Sequence, residues 1–419
     1  MITPSYSATA TERVLPRMAL DFTTGVLDPR VSVVRALNTA TRVNSSGLIE
    51  GVNADLPRFD YNPVTLAPRG LLIEELRTNL LTRSEEFETG NWGKVNLSTT
   101  ANTTTAPSGA LTADSIIENT AVNAYHQTSQ TFTSTAATTY SFSVFLKANG
   151  RDTATMMLGA GVNFVFFAFN LTTATVGAVQ YAGSTWSNGT ASITNFGNGW
   201  YRCVISGLVS NAASYNAVVE INEGANRQYT GNGTSGLFVW GAQLEAGAFA
   251  TSYIPTVASQ VTRNADVVSM TGTNFSDWYN ASEGALQVNA TAISASQYVS
   301  AAAIYLDANN YIAFSFGDLN KPRLLIRNAG TFEVNTTASA AQTNPFNQCA
   351  AYKSGSISFA SNTTLIVNSV NKPIPSGLTA LYIGSNPALG ATGFSNAWLT
   401  KVNYWPQRLI NNEVISVSK

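Results

Sequence analysis

The stretch Tyr140-Ser141-Phe142-Ser143-Val144-Phe145-Leu146 constrains this chain more than any other. Tyr140, Phe142, Val144 and Leu146 fall on one side at a period of two, the pattern of a strand that buries one face against a core. Residues 164–169 are apolar on both faces, as in a central sandwich strand, and 200–205 and 237–240 read as further strands. Gly, Asn and Thr clusters at 103–109, 183–189 and 231–236 separate them. Short strands with regular turn signals and no sustained helical period predict a β-sandwich or jelly roll.

A second set of strands follows, at 284–288, 298–306, 311–316, 323–326, 364–367, 380–383 and 398–405. After it, 408–415 suits one or two helical turns, with Leu409, Val414 and Ile415 sealing a sandwich edge. Residues 1–80 differ. They hold Pro4, Pro16, Pro29, Pro57, Pro63 and Pro68, and proline lacks the N–H that a central strand needs. Short strands are expected there at 18–22 and 58–60, and the segment, too poor to build a large core alone, is expected either to pack against the next domain or to dock on a partner. The fold class is therefore all-β: two β-sandwich (jelly-roll) domains preceded by an extended, loop-rich N-terminal segment. The boundaries are 1–80 for a docking or assembly segment, 81–258 for the first sandwich, 259–280 for a linker (suggested by the small, polar stretch 256–273, which begins just before it) and 281–419 for the second. No short-period solenoid repeat is present.

The chemistry is as informative by what it lacks. Of 419 residues, only 11% are charged and the net charge is −1. Clustered cations that neutralise phosphates are missing, so nucleic acid is not an expected partner. Residues 1–20 contain Glu12, Arg13 and Arg17 and no apolar run of the secretory type. The most apolar stretch, 164–169, is too short to span a bilayer. The two cysteines, Cys203 and Cys349, sit in separate strand-like stretches and read as buried thiols. His126 is the one histidine, so a Ser-His-Asp or Cys-His arrangement would have to use it. It reads instead as a strand histidine with a hydrogen-bonded ring. No cofactor is expected. A structural Ca2+ at Glu85-Glu86-Phe87-Glu88 is the one cation site the acids suggest. Asp114, Asp152, Glu220, Glu223 and Glu245 could supply the paired carboxylates of a glycosidase, but none lies in a catalytic motif, and the chain is read as not an enzyme.

Three groups of residues carry a family resemblance. The first runs from Leu20-Asp21-Phe22-Thr23-Thr24-Gly25 through Ala40-Thr41-Arg42-Val43-Asn44, Pro57-Arg58-Phe59-Asp60-Tyr61 and Gly70-Leu71-Leu72-Ile73-Glu74-Glu75 to Arg77-Thr78-Asn79-Leu80-Leu81 and Trp92. It resembles the start of phage and prophage tail-fibre and head-spike fibre proteins, except that Arg35-Ala36-Leu37-Asn38 stands where those more often carry a small polar pair. The second, Gly197-Asn198-Gly199-Trp200-Tyr201-Arg202 with Val239-Trp240-Gly241-Ala242-Gln243-Leu244-Glu245 and Ala250-Thr251-Ser252-Tyr253-Ile254-Pro255-Thr256, is similar to their carbohydrate-binding-module-like jelly roll. The third, Ala380-Leu381-Tyr382-Ile383-Gly384-Ser385 and Tyr404-Trp405-Pro406-Gln407-Arg408-Leu409, resembles a laminin-G or concanavalin-like sandwich.

The resemblance implies a virion fibre or spike that binds host-surface polysaccharide for adsorption, exposed on the particle after assembly in the host cytoplasm. It also implies a homo-oligomer, with a trimer favoured, and contact with other virion structural proteins. Two alternatives stay open: a purely structural decoration or head-spike protein, and a polysaccharide-degrading enzyme. Ligand residues do not come with the resemblance. Sugar rings stack on aromatic faces, so loop aromatics beside polar groups are the candidates. Trp186, in the polar run 181–189 with Tyr181, comes first; Tyr125 with His126, and Arg227 with Tyr229, follow.

Overall fold

The computed structural model describes residues 15–293, 299–317, 321–342 and 344–419. Pro4, Glu12, Arg13 and Tyr298, invoked above, lie outside the described residues. The chain divides into two compact units: one holds Val33–Val267 with Thr23–Gly25, the other Val268–Lys419 with Val26–Ser32 and the residues up to Phe22.

The first unit is a sandwich of two antiparallel sheets. One runs in the order Trp186–Asn195, Trp200–Val209, Thr138–Asn149, Gly236–Ala246, Ala113–Glu118, Leu97–Thr104. The other runs Thr175–Val176, Asn163–Asn170, Thr153–Ala160, Ser214–Asn222, His126–Thr133, Gly93–Val95, with Gln180–Ala182 also on Asn163–Asn170. Phe142, Val144 and Leu146 face Val165, Phe167, Val219 and Ile221 in the core between them. The alternation at 140–146 thus does what its period requires: even positions fill that core.

Phe145, at an odd position, is equally buried, because a second core lies on the outer side of the first sheet. There Phe145, Trp200, Trp240 and Tyr253 pack with Val43 and Ile49, which sit in the hairpin of Ala40–Val43 and Ile49–Val52. A loop-rich segment such as 1–80 can either pack against the next domain or dock on a partner, and its residues from Val33 onward do the first, which moves the domain boundary expected at 80/81. From Val33 onward the stretch folds into the first unit, adding its few apolar side chains to a sheet face already rich in aromatics.

The linker expected at 259–280 is corrected too. Val261–Arg263 pairs with Arg77–Asn79, Val267–Thr271 is a strand, and Phe275 and Trp278 are buried. The reason is ionic. Arg263 and Asp266 are fully buried in the first unit together with Arg35, Arg58 and Glu74. Glu74 accepts from Arg58 at 2.6 Å, from Arg263, and from the Ser252 amide and hydroxyl at 2.7 Å. Asp266 takes Arg35 at 2.8 Å and Arg58 on its other oxygen. Arg77 stacks on Phe249 and bonds the Ala246 carbonyl; its guanidinium fills the place that a side chain at Gly247 would need.

The second unit is also all-β. One sheet runs Thr364–Val370, Ser356–Ser361, Phe346–Lys353, Glu283–Ala292, Ala397–Trp405, with Met18–Asp21 pairing the last. The other runs Val267–Thr271, Ala380–Ile383, Val299–Asp307, Asn310–Gly317, Lys321–Asn328, Thr331–Thr337. The helix Asn411–Val417 places Val414, with Leu409 before it, against Ala285, Cys349, Ala351 and Trp405, as the sequence predicts. Cys203 and Cys349 are free and buried. Among the described residues no helix is long and apolar enough to cross a membrane.

Candidate functional site

Six aromatic or polar side chains were singled out by sequence, and the structure separates them into two groups. Trp186 does not sit in an exposed loop. It opens the strand Trp186–Asn195, is 4% exposed, and packs edge-on against Tyr215 at 5.2 Å in the sandwich core. The polar run around it misleads because only Trp186 points inward at that strand end. Tyr181 is half-exposed, on the edge strand Gln180–Ala182, where its hydroxyl accepts from the Gly189 amide at 2.7 Å. Ligand contact through Trp186 is therefore corrected: its indole shows no face to solvent.

Tyr125, His126, Arg227 and Tyr229 do come together. They lie at the other end of the Ser214–Asn222 strand from Tyr215, beside Glu220 and Ile221, six residues on, which is about 20 Å of strand. Two of the four belong to a buried polar knot. His126 is fully buried; its Nδ1 meets the Asn96 carbonyl at 2.7 Å and its ring lies 4.6 Å from that of Tyr229. Tyr229 donates to Glu118 at 2.6 Å, and Glu118 also accepts from Arg151 at 2.7 and 3.0 Å and from the Asn232 amide. Burial pushes the Glu118 carboxyl up, but these hydrogen bonds, Arg151 foremost, hold it below its ordinary value. His126 and Tyr229 are thus support, reading as the strand histidine expected and a closed phenol.

The other two are surface. Strand alternation puts Tyr125, Gln127, Ser129 and Thr131 on the outward side of the second sheet, where Gln127 pairs with Glu220, Ser129 with Val218 and Thr131 with Asn216. The neighbouring strand adds Thr155 beside Glu220 and Met157 beside Val218, and the next adds Phe166 beside Met157. Arg227 lies across this face. Its guanidinium is 4.5 Å from the Phe166 ring centre and 5.3 Å from that of Tyr125. It grips Glu220 with two bonds, 2.7 and 3.0 Å, and touches the Met157 sulfur at 3.0 Å. Such stacking holds the planar cation flat. Glu220 is buried beneath it, and burial raises its carboxyl's pKa against the opposing pull of Arg227. Tyr125 remains 38% exposed. The side chains of Gln127 and Ser129, half-buried alongside, make no hydrogen bond within the described structure.

Sequence reasoning missed Phe166, Gln127 and Ser129. The signal was available: 164–169 is apolar at both parities, so one parity must face outward, and Gln127-Thr128-Ser129 alternates before Phe132. Of the remaining carboxylates, Asp114 lies beside Glu88, and each has donors of its own. Asp114 accepts from the Phe87 and Asn102 amides, Asp152 from Thr172, Glu223 from Arg151, and Glu245 from Thr251. In the stretch proposed for Ca2+, Glu85 accepts from Tyr253 and Glu86 pairs with Arg83. Among the described residues no three His, Cys, Asp or Glu side chains converge as a metal site.

No family model matches the sequence, and no curated protein matches it. Solved structures with some similarity include the CBM40 of Ruminococcus gnavus IT-sialidase bound to α2,3-sialyllactose, at 11% identity and TM-score 0.29, over 33% of this chain and 84% of that one. The K499G mutant of NanB sialidase from Streptococcus pneumoniae matches at 14% and 0.30, over 35% of this chain and 26% of that one. A Trypanosoma rangeli sialidase in complex with 2,3-difluorosialic acid matches at 9% and 0.30, over 78% and 62%. At such scores neither the detailed fold nor the ligand of those proteins transfers to this chain; the all-β architecture rests on its own strands.

Proposed function

We propose that this chain is a non-enzymatic, glycan-binding subunit of a virion appendage, a fibre or spike that holds host-surface polysaccharide on the outward face of the second sheet of its first unit. The observation that supports the binding role is the exposed Tyr125 ring beside uncommitted Gln127 and Ser129, on a face braced by Arg227 stacked on Phe166. An aromatic plate with adjacent amide and hydroxyl groups is what a sugar ring and its hydroxyls require. The virion role is supported by the resemblance of residues 20–87 to phage fibre proteins, and a homo-oligomer follows from the same source.

A non-enzymatic role is supported by the acids themselves. Glu118 and Glu220 are closed off from solvent and gripped by Arg151 and Arg227, and Glu223, though half-exposed, is held by Arg151, whereas a glycosidase needs two carboxyls free to reach the scissile bond. The test is cell binding. Labelled protein is expected to bind host cells, to compete with the intact particle for adsorption, and to release no reducing sugar. Protein that leaves adsorption untouched at saturating concentration contradicts the proposal.

A further inference from the structure

The outward face has a property that bears on which glycan it takes. Along the four strands His126–Thr133, Ser214–Asn222, Thr153–Ala160 and Asn163–Asn170, the outward positions are amides, hydroxyls, aliphatic and aromatic groups, and only Glu220 is ionisable. That single charge is cancelled at contact distance by Arg227, which spends its Nε and one terminal nitrogen on it. Of the further charges, Arg151 holds Glu118 at 2.7 Å and Glu223 at 3.0 Å, and Lys94, on the strand beside His126–Thr133, is in register with the inward-facing Thr128 and donates its ammonium to the Glu88, Thr89 and Trp92 carbonyls. The face therefore offers no unpaired cation.

We infer, building on the binding role proposed above, that the ligand is a neutral glycan, read by hydrogen bonding to Gln127 and Ser129 and by stacking on Tyr125, and that the buried Glu220 excludes acidic glycans by neutralising Arg227. A uronate, sialate or sulfate would bring a charge to a site whose one guanidinium is already matched. Bidentate carboxylate recognition needs two parallel N–H donors on one edge of that group; here Glu220 holds the Nε edge, and the terminal nitrogen shared with the other edge also meets the Met157 sulfur at 3.0 Å. A neutral sugar meets no such penalty, since the free guanidinium nitrogen can donate to a hydroxyl while the ion pair stays intact.

The experiment is a titration of the full chain, by calorimetry, with neutral and with carboxylated oligosaccharides prepared from host-surface polysaccharide, at low and high NaCl. The inference expects binding of neutral oligosaccharides with affinity nearly independent of salt, and at least tenfold weaker binding of acidic ones. Glu220→Gln, which keeps the shape and removes the charge, is expected to shift the preference at least tenfold toward the acidic set. Parent protein that prefers acidic oligosaccharides, with affinity falling steeply as NaCl rises, overturns the neutral class while leaving the binding role standing. Absence of binding to either set by folded protein overturns the binding role itself. An unchanged preference in a folded Glu220→Gln variant refutes the part assigned to Glu220.

Discussion

Replacing Glu74 by Gln offers a severe test of how the first unit is held together. Glu74 is fully buried and accepts from two guanidiniums and from both the amide and hydroxyl of Ser252. Burial alone would raise its carboxyl; Arg263 and Arg58 outweigh that and hold it down at about 2, against an ordinary value of 4.5. That difference corresponds to about 3 kcal/mol of stability at neutral pH, and breaking a buried ion pair by removing one partner independently costs about 3–5 kcal/mol. The variant keeps the shape but leaves Arg35, Arg58 and Arg263 facing Asp266 alone. Its loss should therefore be close to 3 kcal/mol at pH 7, measured by urea unfolding followed through tryptophan fluorescence. The sign with pH follows from the depressed value. The contribution is whole above about 4.5 and fades as pH falls toward 2, so parent and variant should converge in acid. A loss below about 1 kcal/mol, or a gap between the two that is constant down to pH 2, would refute the reasoning.

Trp186→Ala should destabilise the first unit by about 3–5 kcal/mol, the cost of emptying a core aromatic site, while leaving glycan affinity of the folded fraction unchanged; calorimetry and thermal unfolding together separate the two. Burial pushes the thiols of Cys203 and Cys349 above their ordinary range, so neither should react with a thiol reagent until the chain is unfolded. Asp114 is held above its ordinary range, chiefly by burial, with Glu88 beside it, so the pair should release its protons in two steps by carbon-detected NMR, one of them above the ordinary carboxylate range; two ordinary carboxylate midpoints would show that the site is wetter than the structure indicates.

Much of the fold was legible because period-two patterning is local. The strands at 140–146, 200–205 and 380–383, and the closing helix with Leu409 and Val414, need only side-chain alternation and turn residues to be read. What failed depends on partners far along the chain. Arg35, Arg58 and Glu74 look like surface charge until Arg263 and Asp266, about two hundred residues away, close around them. For that reason 1–80 resembles a loop-rich arm and 256–273 a linker. The departure noted at Arg35 is one of those partners. The site was half legible on the same grounds. Tyr125, His126, Arg227 and Tyr229 were found from residue type, but burial decides their roles, and no local pattern told the exposed Tyr125 from the buried Tyr229. Trp186 was misjudged because a polar neighbourhood in sequence says nothing of Tyr215 waiting across the core.

The central claim is that Tyr125 and its neighbours form the ligand face. Its most direct test is the affinity of folded Tyr125→Ala, with Gln127→Ala beside it, for the neutral oligosaccharide that the parent binds. Loss of a stacked ring should weaken binding about tenfold, near 1.4 kcal/mol, and Gln127→Ala should weaken it by less, with unfolding midpoints of both variants close to that of the parent. Parent-like affinity in both variants would contradict the account and move the ligand to another face.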